Sequence, residues 1–141
     1  MNEKKTMILV IEDDKDTNDM LVSILGDAGY STTPALNGEE GLKKAEADNP
    51  DVILLDLMLP QISGLEVCRL LSANEKTRNI PIIILTAKRE LSTKLSSFVA
   101  GAKRFITKPF ESQDLLNEIQ RTIRQKEISE EFENGEQASN S

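Results

Sequence analysis

Apolar residues recur along this chain in two rhythms that take turns. Three short runs are continuously apolar and rich in branched side chains: Met7 to Ile11, Val52 to Leu55 and Ile82 to Leu85. Runs this short, without polar alternation, predict strands covered on both faces. Between them the apolar positions return every three or four residues. Met20, Leu21, Ile24, Leu25 and Ala28 make one such face, and Leu65, Val67, Cys68 and Leu71 another. That spacing predicts helices with one side turned to a core. A further helix is expected over about Leu91 to Ala100, carrying Leu95, Phe98 and Val99. A last one is expected from about Ser112, carrying Leu115, Leu116, Ile119 and Ile123.

Weaker strand signals around Tyr30 to Pro34 and at Lys103 to Thr107 complete a set of five strands and five helices in strict alternation. Local punctuation agrees. Asp16 is placed to cap the first helix and Gly29 to close it; Asn37 precedes the second, and Gly101 follows the fourth. Strict alternation implies a parallel sheet with helices on both faces, an α/β doubly wound architecture. Ligands in such folds sit at the carboxyl ends of the strands, where strand order reverses.

Composition narrows the possibilities. A chain of 141 residues has room for one domain that buries roughly 70% of its unfolded surface. The expected division is a polar N-terminal segment over 1–5, the domain over 6–124, and an acidic disordered tail or linker over 125–141. Within that tail Ile128 and Phe132 keep a loose helical spacing, so the last helix is expected to run on for a turn or two. The single cysteine, Cys68, cannot form an internal disulfide and reads as a small core residue. The polar opening and the short apolar runs point to a cytoplasmic chain without a membrane role. A net charge of -7 opposes the phosphate backbone, so no nucleic-acid binding is expected within this chain. The absence of histidine removes imidazole acid/base chemistry and imidazole metal ligands. What remains is carboxylate chemistry.

The carboxylates gather where the architecture places ligands. The first strand runs into Glu12, Asp13 and Asp14, the third into Asp56, the fourth ends in Thr86, and the fifth leads to Lys108 and Pro109. Acids packed together in a partly buried site take up protons or bind a cation. Magnesium, which prefers one or two carboxylates plus waters and phosphate oxygens, suits Asp13 and Asp56, with Glu12 acting directly or through water. Calcium fits less well, because no 12-residue ligand loop is present. Asp56 follows four apolar residues, so its charge sits beside the core and requires a reason. Its carboxylate is a candidate nucleophile toward a phosphoryl group, with Lys108 supplying positive charge and Thr86 a hydroxyl. Pro109 is a candidate for a cis bond that would aim Lys108 inward. Asp14, alone after a strand, reads as a helix cap or a solvated loop residue.

Four motifs in order, "ILVIEDD", "DVILLDLMLPQISGLE", "PIIILTA" and "GAKRFITKPF", resemble the receiver domains of bacterial two-component response regulators from about Thr6 to Arg124. The resemblance implies a flavodoxin-like fold with strand order 2-1-3-4-5 and a phosphoacceptor signalling switch rather than an enzyme. It implies phosphorylation of Asp56 by a phosphohistidine donor, from a sensor histidine kinase or phosphotransfer protein. It also implies Mg2+ held by Glu12, Asp13, Asp56 and the backbone carbonyl of Met58. Thr86 would move toward the phosphoryl group and Phe105 rotate inward behind it. Phe105 replaces a frequent tyrosine, so its inward state would rest on packing alone. The surface of the fourth helix, fifth strand and fifth helix becomes the signalling face, with Lys94, Lys103 and Arg104 as exposed candidates. Met58 and Lys88 lie where side chains can shield or position water, and Met58 offers no general base. Slow self-dephosphorylation follows. The effector is not implied, and a homodimer is one of the arrangements this face would allow.

Other functional classes fit the residues less well. Magnesium phosphatases with a strand-end aspartate place a second acid two residues later, where this chain has Met58. A phosphorylation-independent interaction module of the same fold is the stronger rival, and the intact set of Glu12, Asp13, Asp56, Thr86 and Lys108 argues against it.

Overall fold

The computed structural model describes residues 5–139. Strands β1 (Met7–Ile11), β2 (Ser31–Ala35), β3 (Val52–Leu55), β4 (Ile82–Thr86) and β5 (Arg104–Thr107) alternate with helices α1 (Lys15–Asp27), α2 (Gly38–Asp48), α3 (Gly64–Ala73), α4 (Leu91–Val99) and α5 (Ser112–Ser139). All four strand pairings are parallel, in the order β2-β1-β3-β4-β5 expected for a flavodoxin-like sheet. Pro34 lies in β2, an edge strand, where a missing N–H is tolerated.

The two faces of the sheet carry separate cores because successive strand side chains point to opposite sides. Leu9, Ile11, Ile53, Leu55, Ile82 and Ile84 pack with Ala45 of α2 and with Val67, Cys68 and Leu71 of α3. Ile8, Val10, Val52, Leu54, Ile83 and Leu85 pack with Leu21 and Leu25 of α1 and with Leu115 and Ile119 of α5. Burial of each of these leucine, isoleucine and valine side chains stabilises the fold by about 1.5–3 kcal/mol. Two-sided burial is why these strands lack polar alternation.

The helix ends refine the sequence reading. Asp14, not Asp16, caps α1: its carboxylate accepts the Thr17 N–H at 3.0 Å. Asp16 falls in the first turn, where negative charge favours the helix dipole. Asn37 caps α2 as expected, accepting the Glu40 N–H at 2.8 Å. After α4, Gly101 takes a φ of 116°, and a Cβ there would lie 2.0 Å from Ser72 Oγ. Only glycine meets both conditions.

Two helices depart from expectation. On α4, Leu95, Phe98 and Val99 do not face the core; with Leu91 they point outward, Val99 being 90% exposed. The buried position is Ser97, whose hydroxyl donates to Thr93 O at 2.8 Å and so enters the interior satisfied. Helix α5 continues to Ser139, so residues 125–139 of the segment expected as a disordered tail or linker are helical. Its acids are good helix formers, and a helix already nucleated on Leu115 and Ile119 propagates without a second nucleation cost. Lys126 Nζ lies 4.0 Å from Asp51 Oδ1, linking this extension to the body. Residues 1–4 of the expected N-terminal segment, and residues 140 and 141, lie outside the described residues. Among the described residues no helix is long and apolar enough to cross a membrane.

Candidate functional site

Asp56 is the first residue beyond β3, and its N–H extends the pairing with β1 by donating to Ile11 O at 3.1 Å. It is 8% exposed. Oδ1 accepts the Met58 N–H at 3.0 Å, and Oδ2 accepts from Lys108 Nζ at 2.9 Å. The same ammonium donates to Glu12 Oε1. Glu12 follows β1 directly, is buried, and is tied to β2 through its N–H to Ala35 O at 3.0 Å. Three charges from the ends of three strands therefore share one network. The Lys108–Pro109 bond that precedes α5 is cis.

The electrostatics of the network are lopsided. Burial pushes the Glu12 carboxyl above its ordinary range; the Lys108 hydrogen bond pulls it back, and the Asp56 charge pushes it up again. Burial opposes the Lys108 charge as well, but its hydrogen bonds to Asp56 and Glu12 outweigh that and hold its pKa above the ordinary lysine value. One ammonium thus offsets two buried carboxylates.

The other residues named from the sequence stand around this network. Asp13 is exposed beside Glu12, and Met58 is 55% exposed beyond Asp56. Among the described residues no three His, Cys, Asp or Glu side chains form a ready metal cluster. Thr86 ends β4 fully buried, and its hydroxyl oxygen accepts the Lys88 N–H at 3.4 Å. Phe105 pairs with Ile84 and Thr107 with Thr86, so Phe105 and Thr86 lie on the same face of the sheet. Phe105 is half-buried rather than sealed in the core. Lys94 and Lys103 are exposed as expected. Arg104 is not free: its guanidinium donates to Glu118 at 2.9 Å, Thr122 at 2.8 Å and Gln125 at 2.9 Å along α5.

Two residues that support the site were not singled out from the sequence. Gly64 opens α3 directly beneath the β3 loop, where a Cβ would lie 2.2 Å from Asp56 O and 2.4 Å from Leu57 Cα. Its N–H donates to Leu57 O at 2.9 Å. Asn18, in the first turn of α1, donates from Nδ2 to the carbonyls at the ends of β1 and β2. A polar residue in line with Leu21 and Leu25 was the available signal for Asn18. For Gly64 the signal was the serine-glycine step ahead of an apolar run.

Comparison with known proteins bears on the same residues. The family model for the response regulator receiver domain matches residues 8–120. The chain is 39% identical over 139 residues to the alkaline phosphatase synthesis transcriptional regulatory protein PhoP of Bacillus subtilis, covering 96% of this chain and 56% of that protein. It is 38% identical over 117 residues to the DNA-binding dual master transcriptional regulator RpaA of Synechocystis sp., covering 83% and 48%. The chain thus spans about half the length of the curated relatives it matches. Among solved structures, the CheY-like response regulator receiver domain protein of Methanospirillum hungatei superimposes with a TM-score of 0.85 at 28% identity, covering 89% of this chain and 99% of that one. Motif order, sheet topology and these matches coincide over most of its length, and the chain belongs to the response regulator receiver domain family of two-component systems.

Proposed function

We propose that this chain is a phosphoacceptor switch in which Asp56 takes a phosphoryl group from the phosphohistidine of a sensor kinase or phosphotransfer protein. The observation that carries the reading is the buried Asp56 carboxylate held between the Met58 N–H and the Lys108 ammonium. An Asp56 oxygen attacks phosphorus, the phosphorus–nitrogen bond breaks, and its electron pair leaves on the imidazole nitrogen. The acyl phosphate keeps its charge on the phosphoryl oxygens, to which Lys108 can transfer its hydrogen bond.

The donor set fits a magnesium ion. Asp13, Asp56 and the Met58 carbonyl are hard oxygen donors, Glu12 reaches directly or through water, and a cation that keeps several waters does not need three converging side chains. When bound, Mg2+ supplies charge neutralisation between the acids and the incoming phosphoryl group. Lys108 holds the acids in place beforehand. Thr86, buried one strand away from Asp56, is the hydroxyl that would turn to the phosphoryl group, and Phe105, only half-buried, has room to follow on the same face.

The output surface is the α4-β5-α5 face, where Leu91, Leu95 and Val99 lie open beside Lys94 and Lys103. With a net charge of -7, any DNA binding of the kind named for the relatives would belong to a further module, and a homodimer through this face is one way to reach it. The chain is read as cytoplasmic. Met58 offers no base for water, so self-dephosphorylation is slow; a half-life of seconds in purified protein with magnesium would contradict this.

Intact mass after incubation with acetyl phosphate and magnesium tests the main reading. One added phosphoryl group, lost in Asp56→Asn, is expected. No addition, or one that survives Asp56→Asn, rejects it.

A further inference from the structure

Asn18 sits where α1 otherwise presents Leu21 and Leu25 to the core, and it is 1% exposed. Its Nδ2 lies 3.1 Å from Glu12 O, 3.1 Å from Ala35 O and 3.3 Å from Val10 O. An amide nitrogen carries two hydrogens, so three carbonyls share two donors and the side chain cannot turn without releasing one. The same Ala35 carbonyl also accepts the Glu12 N–H at 3.0 Å. Asn18 Oδ1, by contrast, is the one buried side-chain nitrogen or oxygen among the described residues without a partner. A leucine here would continue the apolar stripe without the orphaned Oδ1, but it would take the donor away from the carbonyls at the strand ends. What the amide adds is its pair of N–H donors.

The placement of those donors gives them a consequence at the site. The Glu12 carbonyl belongs to the peptide plane that joins Glu12 to Asp13, so gripping it sets the ψ of Glu12 and the φ of Asp13. Glu12 is buried against Lys108, while Asp13 is exposed, so the backbone it hangs from sets the direction in which its side chain leaves the chain. We propose that Asn18 is a positioning residue for the phosphoacceptor site: it clamps the carboxyl end of β1 to β2 and thereby aims the Glu12 and Asp13 carboxylates at the cation. This rests on the reading of those acids as magnesium ligands. Aspartate cannot substitute, because its carboxylate would face three carbonyl oxygens without a hydrogen to share.

The test uses the full chain, with Asn18→Leu as the donor-free variant and Leu25→Ala as a core variant on the same helix that leaves the carbonyl clamp alone. Magnesium is titrated while the backbone amide signals of residues 12–14 and 56–58 are followed by NMR, and Tm is measured in parallel. Loss of a group that orients metal ligands typically weakens metal binding by about 10- to 100-fold. Asn18→Leu is expected to bind Mg2+ at least about 10-fold more weakly and to exchange its Glu12 N–H faster. Leu25→Ala is expected to lower Tm with its magnesium affinity unchanged within about twofold. A folded Asn18→Leu with wild-type magnesium affinity overturns the proposal. If wild-type protein binds no magnesium, the parent reading fails and the metal-free spectra decide this one. Selective shifts and faster exchange at residues 12–14 in Asn18→Leu then support the clamp, and unchanged signals refute it. Should Asn18→Leu not fold, Asn18→Ser, which keeps one shorter donor, is judged by the same criteria.

Discussion

The centre of the sheet and its β5 edge are built to different tolerances. In β1 and β3 every residue from Ile8 to Ile11 and from Val52 to Leu55 is buried, and the acids that follow are tied down by Lys108 and by main-chain bonds to the neighbouring strands. In β5 all four residues are only half-buried, and α4 beside it sends Leu91, Leu95, Phe98 and Val99 to solvent. Regions with few buried apolar contacts open at lower free energy than the core. The proposed acceptor thus stands in the rigid centre, and Thr86 and Phe105 lie where that centre meets the looser edge. The proposed switch requires that division: the acceptor must be held still while a neighbouring element retains two arrangements.

The contrast can be broken by substitution, beginning with the largest effect. Ile53→Ala removes a fully buried side chain between two packed strands and is expected to cost about 4 kcal/mol in urea unfolding. Gly64→Ala forces a Cβ against the Asp56 carbonyl, costs about 3 kcal/mol, and suppresses phosphoryl uptake by shifting the acceptor itself. Retained uptake would show that the β3 loop is less rigid than its packing indicates.

Lys108→Met comes next, at about 2 kcal/mol near neutral pH, since it leaves two buried carboxylates without their donor. Its pH dependence carries a definite sign. The folded pKa of Lys108 lies above its ordinary 10.5, so its contribution is full below pH 10.5 and is lost as pH rises through the folded value. Wild-type stability should fall there more steeply than that of the variant. Glu12 has a folded pKa above its ordinary 4.5, and loss of Lys108 removes the hydrogen bond that pulls it down. The variant should therefore recover stability as pH falls toward 4.5. A pH-independent difference would mean that Lys108 acts through packing alone. The smallest change is Val99→Ser, expected to stay within about 0.5 kcal/mol because the side chain is already in water. A larger loss would place α4 with the rigid centre.

Not every part of the design was equally legible in the chain. The bounds of β1 and β3 were readable to the residue because a strand covered on both faces has no polar position to blur its ends. Asp56 was readable for the same reason, as a charge abutting such a run. The apolar spacing of α4, however, predicts a stripe without saying which way it faces. The composition of residues 125–139 reads as solvated whether or not it is helical.

What the sequence alone determined is the alternation of strands and helices, the parallel sheet that follows from it, and the set Glu12, Asp13, Asp56, Thr86 and Lys108 at one edge. These depend on local periodicity and on which residue ends each strand. Only the tertiary structure decided that Lys108 bridges Glu12 and Asp56, that Asn18 grips carbonyls from two strands, that Gly64 lies against the Asp56 carbonyl, and that α4 turns its apolar face outward. Each of those depends on how the elements pack against one another in three dimensions, and local pattern carries no information about which neighbour an element meets.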